Sequence, residues 1–85
     1  MRTRVVHCKR EPYDVYIGRP SIWGNPFVLG KDGDRDEVIR KFRSWLIRDS
    51  GISIEQISSL RGKTLGCWCH PNSCHGDVLA ELADE

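Results

Sequence analysis

The nine residues Cys67-Trp68-Cys69-His70-Pro71-Asn72-Ser73-Cys74-His75 hold three of the chain's four cysteines and two of its three histidines. Their flanks define the corner they must form. From Thr64 to Cys69 the pattern alternates, with Leu65, Cys67 and Cys69 on one face and Thr64, Gly66 and Trp68 on the other, as a strand requires. Pro71-Asn72-Ser73 reads as a turn and cap. A helix follows from about Cys74, with Val78, Leu79 and Leu82 as its apolar stripe. Any fold of this chain therefore contains a strand-turn-helix corner lined with thiols and imidazoles.

The size of the chain makes that corner weightier. At 85 residues, folding buries only a little over roughly 60% of the unfolded chain's surface, so a single domain over residues 1–85 has a thin core. Metal binding, oligomerisation or tight packing would support it. No apolar run approaches the roughly 20 residues of a spanning helix, and Met1-Arg2-Thr3-Arg4 leads into two valines rather than a signal-peptide core. A cytoplasmic protein with no membrane partner is expected. In a reducing compartment the cysteines read as metal ligands, reactive thiols or small buried hydrophobes before they read as disulfides. The net charge of +1 conceals an asymmetry: residues 1–48 hold 11 basic against 6 acidic side chains, and residues 49–85 hold 2 against 6. That split suits a phosphate-bearing partner, or equally two halves of one fold facing each other.

No repeat or long linker divides the chain, and its elements alternate. Arg4 to Cys8 and Tyr13 to Ile17 are β-prone, the second with Tyr13, Val15 and Ile17 on one face; the polar residues between them allow the two strands to pair. Arg19 to Phe27, with two prolines and a glycine, is a shaped loop. Asp34 with Glu37 opens a long helix to about Asp49, whose apolar face carries Val38, Ile39, Phe42, Trp45 and Leu46, while Arg35, Arg40, Lys41, Arg43 and Arg48 project elsewhere. Ser53 with Gln56 opens a short helix with Ile54, Ile57 and Leu60 turned inward. The expectation is an α/β fold, a sheet of about three or four strands packed by two main helices and a short one.

Two chemistries fit the Cys-His corner. In the first, the N–H groups at the last helix's start favour an anion and a thiolate at Cys74; His75 serves as acid or base, and Asp77 orients a partner. Arg19, Ser21, Trp23 and Asn25 of the loop, with Trp68, would then hold a phosphate and a ring. No cofactor is required. In the second, Cys67, Cys69, Cys74 and His75, or His70 in its place, close a tetrahedral zinc site, although C-x-C-x4-C-H is not the C-x2-C knuckle of zinc ribbons. The chain would then be a structural module or a binding module for nucleic acid or protein. The basic face of the long helix could touch a nucleic-acid backbone, and a solvated face explains it equally well. Packing alone would make the cysteines hydrophobic filler, with Trp23 and Phe27 as lids on the core.

Tyr16-Ile17-Gly18-Arg19-Pro20-Ser21, Trp23-Gly24-Asn25-Pro26-Phe27, Gly62 to Cys69, and Pro71 with Cys74-His75-Gly76-Asp77-Val78-Leu79 together resemble the domain of unknown function 4326 family, found in phages and bacteria. The resemblance covers nearly the whole chain and implies no activity. Ile22 stands where that pattern has a lysine. The segment from Cys67 to Leu79 is also similar to the closing strand and helix of the domain of unknown function 488 family, where the shared part is a strand-end cysteine and a Cys-His helix start. That second likeness favours a helix-terminus site over zinc. Because both motifs follow strands, loop 18–27, the end of strand 64–69 and the start of the last helix are expected to converge beyond the strands' carboxyl ends on a nucleotide-like or other phosphate-bearing ligand.

Overall fold

The capping signals read from the sequence are realised as hydrogen bonds in the computed structural model, which describes residues 2–85. Helix α1 (Arg35–Arg48) begins where the Asp34 carboxylate accepts from the Glu37 N–H at 2.9 Å and the Glu37 carboxylate accepts from the Asp34 N–H at 3.1 Å. Helix α2 (Ile54–Ser58) begins with the same reciprocal pair between Ser53 and Gln56. Each box satisfies donors that the first turn would otherwise leave open. Helix α3 (His75–Asp84) closes the chain. Its cap belongs to the site and is described below.

Strands β1 (Arg4–His7), β2 (Val15–Tyr16) and β3 (Thr64–Cys67) form one sheet in the order β1-β3-β2. All pairings are parallel, with Val5 and Val15 flanking Leu65 on either side. The expected pairing of the first two strands is therefore corrected: β3 inserts between them and takes the hydrogen-bonding edge of each. Two strands are also shorter than their alternation suggests. Cys69 leaves the sheet after Cys67, and Tyr13 precedes β2, so Tyr13 is exposed with its ring over Gly66 rather than beside Ile17 in the core.

The core joins Ile17 and Leu65 of the sheet region to Phe42 and Leu46 of α1, Ile57 and Leu60 at α2, and Val78, Leu79 and Ala83 of α3. Burial of these apolar surfaces is the main force holding the layers. Helix α3 is the hub, packing on β1, β3, α1 and α2. Ile54, expected to face inward, is 77% exposed. The five-residue α2 meets α3 through its later residues, so the stripe's first member runs past the surface it covers. At the other end, the Thr3 hydroxyl donates to the Asp84 carboxylate at 2.7 Å and accepts from the Gly62 N–H at 3.0 Å, tying the start of the described chain to its last helix. Among the described residues, no helix is long and apolar enough to cross a membrane.

Because the three strands run in one direction, their carboxyl ends lie along a single edge of the sheet. Tyr16 to Arg19 leave it from β2, and Trp68 and Cys69 leave it from β3.

Candidate functional site

The start of α3 is built by an unusual cap. Cys74 is the N-cap residue in extended conformation; its Sγ accepts from the Gly76 N–H at 3.2 Å, and the Asp77 carboxylate accepts from the Cys74 N–H at 3.1 Å. Asp77 thus has a structural task, and it does not line the cleft described below. Gly76 sits where the helix meets the sheet. A methyl group there would fall 2.7 Å from Ile17 Cδ1 and 3.1 Å from Val5 Cγ1, closer than carbon atoms pack.

Directly behind the cap, Cys74 Sγ lies 3.1 Å from Cys67 Sγ at the end of β3. Both residues are buried, and all four cysteines of the chain are free thiols. The pair shares a proton. The hydrogen bond from Cys74 brings Cys67 down to about 6, from an ordinary 9.0. The same bond, with burial and the adjacent charge, drives the Cys74 thiol upward. The helix-terminus chemistry places a thiolate at Cys74; that residue is buried, and the sulfur that ionises first is its neighbour.

His75 is pinned. Its Nε2 lies 2.7 Å from the Ile17 carbonyl oxygen, and its ring stands edge-on to Phe42 at 5.0 Å. Burial holds its pKa below the ordinary imidazole range, with the nearby Arg19 charge acting the same way and the Ile17 and Trp23 carbonyls and Asp77 opposing. The ring is therefore neutral at physiological pH and donates from Nε2 to Ile17.

These groups border a cleft of about 150 Å³ beyond the carboxyl ends of β2 and β3. Of the residues singled out in the sequence, Arg19, Asn25, Trp68, Cys69, Cys74 and His75 line it. The convergence of loop, strand end and helix start is thus realised. Ser21 and Trp23 lie outside the lining: the Ser21 hydroxyl donates to the Gly18 carbonyl at 2.6 Å, and Trp23 is buried in the core. Asn25 lines the cleft while bracing it, its amide donating to the Val38 carbonyl at 3.2 Å and its oxygen accepting from the Phe27 N–H at 2.9 Å. Trp68 is exposed at the rim. Its Nε1–H donates to the Tyr16 hydroxyl at 2.8 Å, which donates in turn to the Arg19 carbonyl at 3.1 Å, so one relay joins the β3 end to the arginine loop.

Arg35 belongs to the site and was read as pointing elsewhere. From the first turn of α1 it lines the cleft, and its guanidinium donates to the Ser73 carbonyl at 3.0 Å. Its position follows from the packing of α1 on α3, a contact between segments 38 residues apart that no local pattern encodes. Tyr16 was likewise unrecognised as a link. Of the basic face of α1, Arg43 pairs with Glu81 at 3.3 Å and Lys41 donates to the Asp32 carbonyl.

The zinc arrangement does not fit the side chains as they stand. Sulfur ligands about 2.3 Å from a tetrahedral ion sit about 3.8 Å from one another, whereas Cys67 and Cys74 are in hydrogen-bond contact at 3.1 Å. The His75 Nε2 is committed to Ile17. Among the described residues, no three His, Cys, Asp or Glu side chains converge as a metal site.

With this geometry in view, comparison with known proteins places the chain. It is 41% identical over 85 residues to the "Uncharacterized 12.4 kDa protein in nrdA-td intergenic region" of Enterobacteria phage T4, covering 95% of this chain and 77% of that protein. It is 34% identical over 87 residues to "Uncharacterized protein R718" of Acanthamoeba polyphaga mimivirus, covering 81% of this chain and 65% of that one. The chain thus spans about two thirds to three quarters of these relatives' lengths. No solved structure matches. A family model described as a domain of unknown function matches residues 2–85, which include every motif quoted above, and the chain belongs to that family, DUF4326.

Proposed function

We propose that the cleft binds a phosphate-bearing small molecule of nucleotide-like build. The observation that carries this reading is the meeting of two arginines, Arg19 and Arg35, from distant segments at one cleft beside an exposed tryptophan. Guanidinium groups offer forked donors suited to phosphate oxygens. A volume near 150 Å³ is below the roughly 300–1,000 Å³ of pockets that enclose drug-sized ligands. It suits a phosphate held inside with the rest of the ligand over the rim, where the face of Trp68 can stack a ring. Cys74 and His75 form part of the wall of this site, and their hydrogen bonds, Cys74 to Cys67 and the Gly76 N–H and His75 to the Ile17 carbonyl, suit a positioning role.

Titration of the full chain with a nucleoside monophosphate, followed by tryptophan fluorescence, tests the reading. Saturable quenching is expected, weakened about 10- to 100-fold by Arg19→Ala or Arg35→Ala, the size of one charged hydrogen-bonding partner. Trp68→Ala should weaken the nucleotide while leaving binding of inorganic phosphate, read by calorimetry, nearly unchanged. Equal affinity of the wild type and both arginine variants would contradict the proposal.

A further inference from the structure

We propose that Cys67 and Cys74 are a redox-active dithiol that a hydroperoxide converts to an intrachain disulfide joining the end of β3 to the start of α3. Their sulfurs already touch at 3.1 Å, so bonding at about 2.05 Å asks for an approach of roughly one ångström. The two side chains face each other from the two arms of one corner. Cys74 also lines the cleft, which gives a small oxidant a route to an otherwise buried pair. Cys8 and Cys69 are half-buried and have no such partner sulfur among the described residues.

The chemistry balances with the hydroperoxide as oxidant. The negative charge rests on Cys67, the sulfur that ionises first, held by the hydrogen bond from Cys74, whose own sulfur also receives the Gly76 N–H. That thiolate attacks the peroxide oxygen; an S–O bond forms, the O–O bond breaks, and the departing oxygen leaves as water or an alcohol after taking a proton. Cys74 then attacks the Cys67 sulfenic acid. The S–S bond forms, the S–O bond breaks, and the hydroxyl leaves as water with the Cys74 proton. Two thiols have lost two electrons and two protons, and the peroxide has gained them. The low ionisation of the pair makes the thiolate available near neutral pH. The product closes a ring over the Trp68–Ser73 turn and removes the negative charge from beside the cleft.

The test uses a Cys8→Ser/Cys69→Ser variant, which retains the two sulfurs in question, and the wild-type chain in parallel. Each is treated with hydrogen peroxide at neutral pH, quenched and alkylated in denaturant. The expected result for the variant is the loss of both titratable thiols, a mass lower by two hydrogens, and recovery of both thiols with dithiothreitol. In the wild type, chymotryptic cleavage after Trp68 should leave the Cys67 peptide linked, until reduced, to the peptide that begins at Cys69, and tandem mass spectrometry should place the link on Cys74 rather than Cys69, which reads the pairing even if the variant folds poorly. Persistence of both thiols while free glutathione is oxidised, uptake of oxygen without a cross-link, or a link through Cys8 or Cys69 would each overturn the proposal.

Discussion

At the scale of single residues, the Cys67–Cys74 pair and His75 give the protein a defined pH response. Cys67 ionises at about 6 in the folded chain against 9.0 ordinarily. Between those values the unfolded chain binds the extra proton, so stability rises with pH. Cys74 is shifted the other way. Above about 9 the unfolded chain releases a proton that the folded chain keeps, and stability falls. His75, lowered from 6.5 by burial, favours the neutral ring in the fold, so stability also declines as pH drops below 6.5. The melting temperature should therefore climb through the neutral range, peak near pH 9 and fall beyond it. Cys67→Ser should flatten the rise between pH 6.5 and 9, and an unchanged slope in that variant would show that the sulfur pair does not share a proton.

At the scale of elements, the start of α3 couples local capping to the packing that shapes the cleft. Gly76→Ala should destabilise: overpacking costs about 1–3 kcal/mol, and the helix propensity regained by alanine, about 1 kcal/mol, does not offset the contacts with Ile17 and Val5. Asp77→Ala should cost about 1 kcal/mol as a lost cap partner. Chemical denaturation gives both values. If Asp77 only caps, ligand affinity should follow Arg19 and Arg35 and stay nearly unchanged in Asp77→Ala. A loss of binding as large as that in Arg19→Ala, in a variant that remains folded, would return Asp77 to the site itself. The elements themselves were legible from sequence because their signals are local: Asp34 with Glu37 and Ser53 with Gln56 form the expected boxes, and Val38, Phe42 and Leu46 form the buried stripe. Cys74 is a cap that residue preferences do not favour, and its Asp77 partner looked like a candidate for chemistry for the same reason.

At the scale of the whole molecule, what could not be read was set by long-range pairing. Neither the β1-β3-β2 order nor the reach of Arg35 to Ser73 has a signature within a short window. The place of the site was legible, since a parallel sheet collects its strand ends on one edge and both marked motifs follow strands. Its membership was partly legible: Arg19, Asn25, Trp68, Cys69, Cys74 and His75 meet there, while Ser21, Trp23 and Asp77 are spent on loop geometry, core and cap. The most direct measurement of the site's purpose is amide and side-chain chemical-shift mapping of the isotope-labelled chain during titration with a nucleoside monophosphate. The shifts should concentrate on the Arg19 and Arg35 guanidinium N–H groups, the Trp68 indole N–H and the amides of Cys74 and His75, and saturate together. Absence of saturable shifts, or shifts centred on the outward face of α1 around Arg40 and Arg48, would contradict a phosphate site at this cleft.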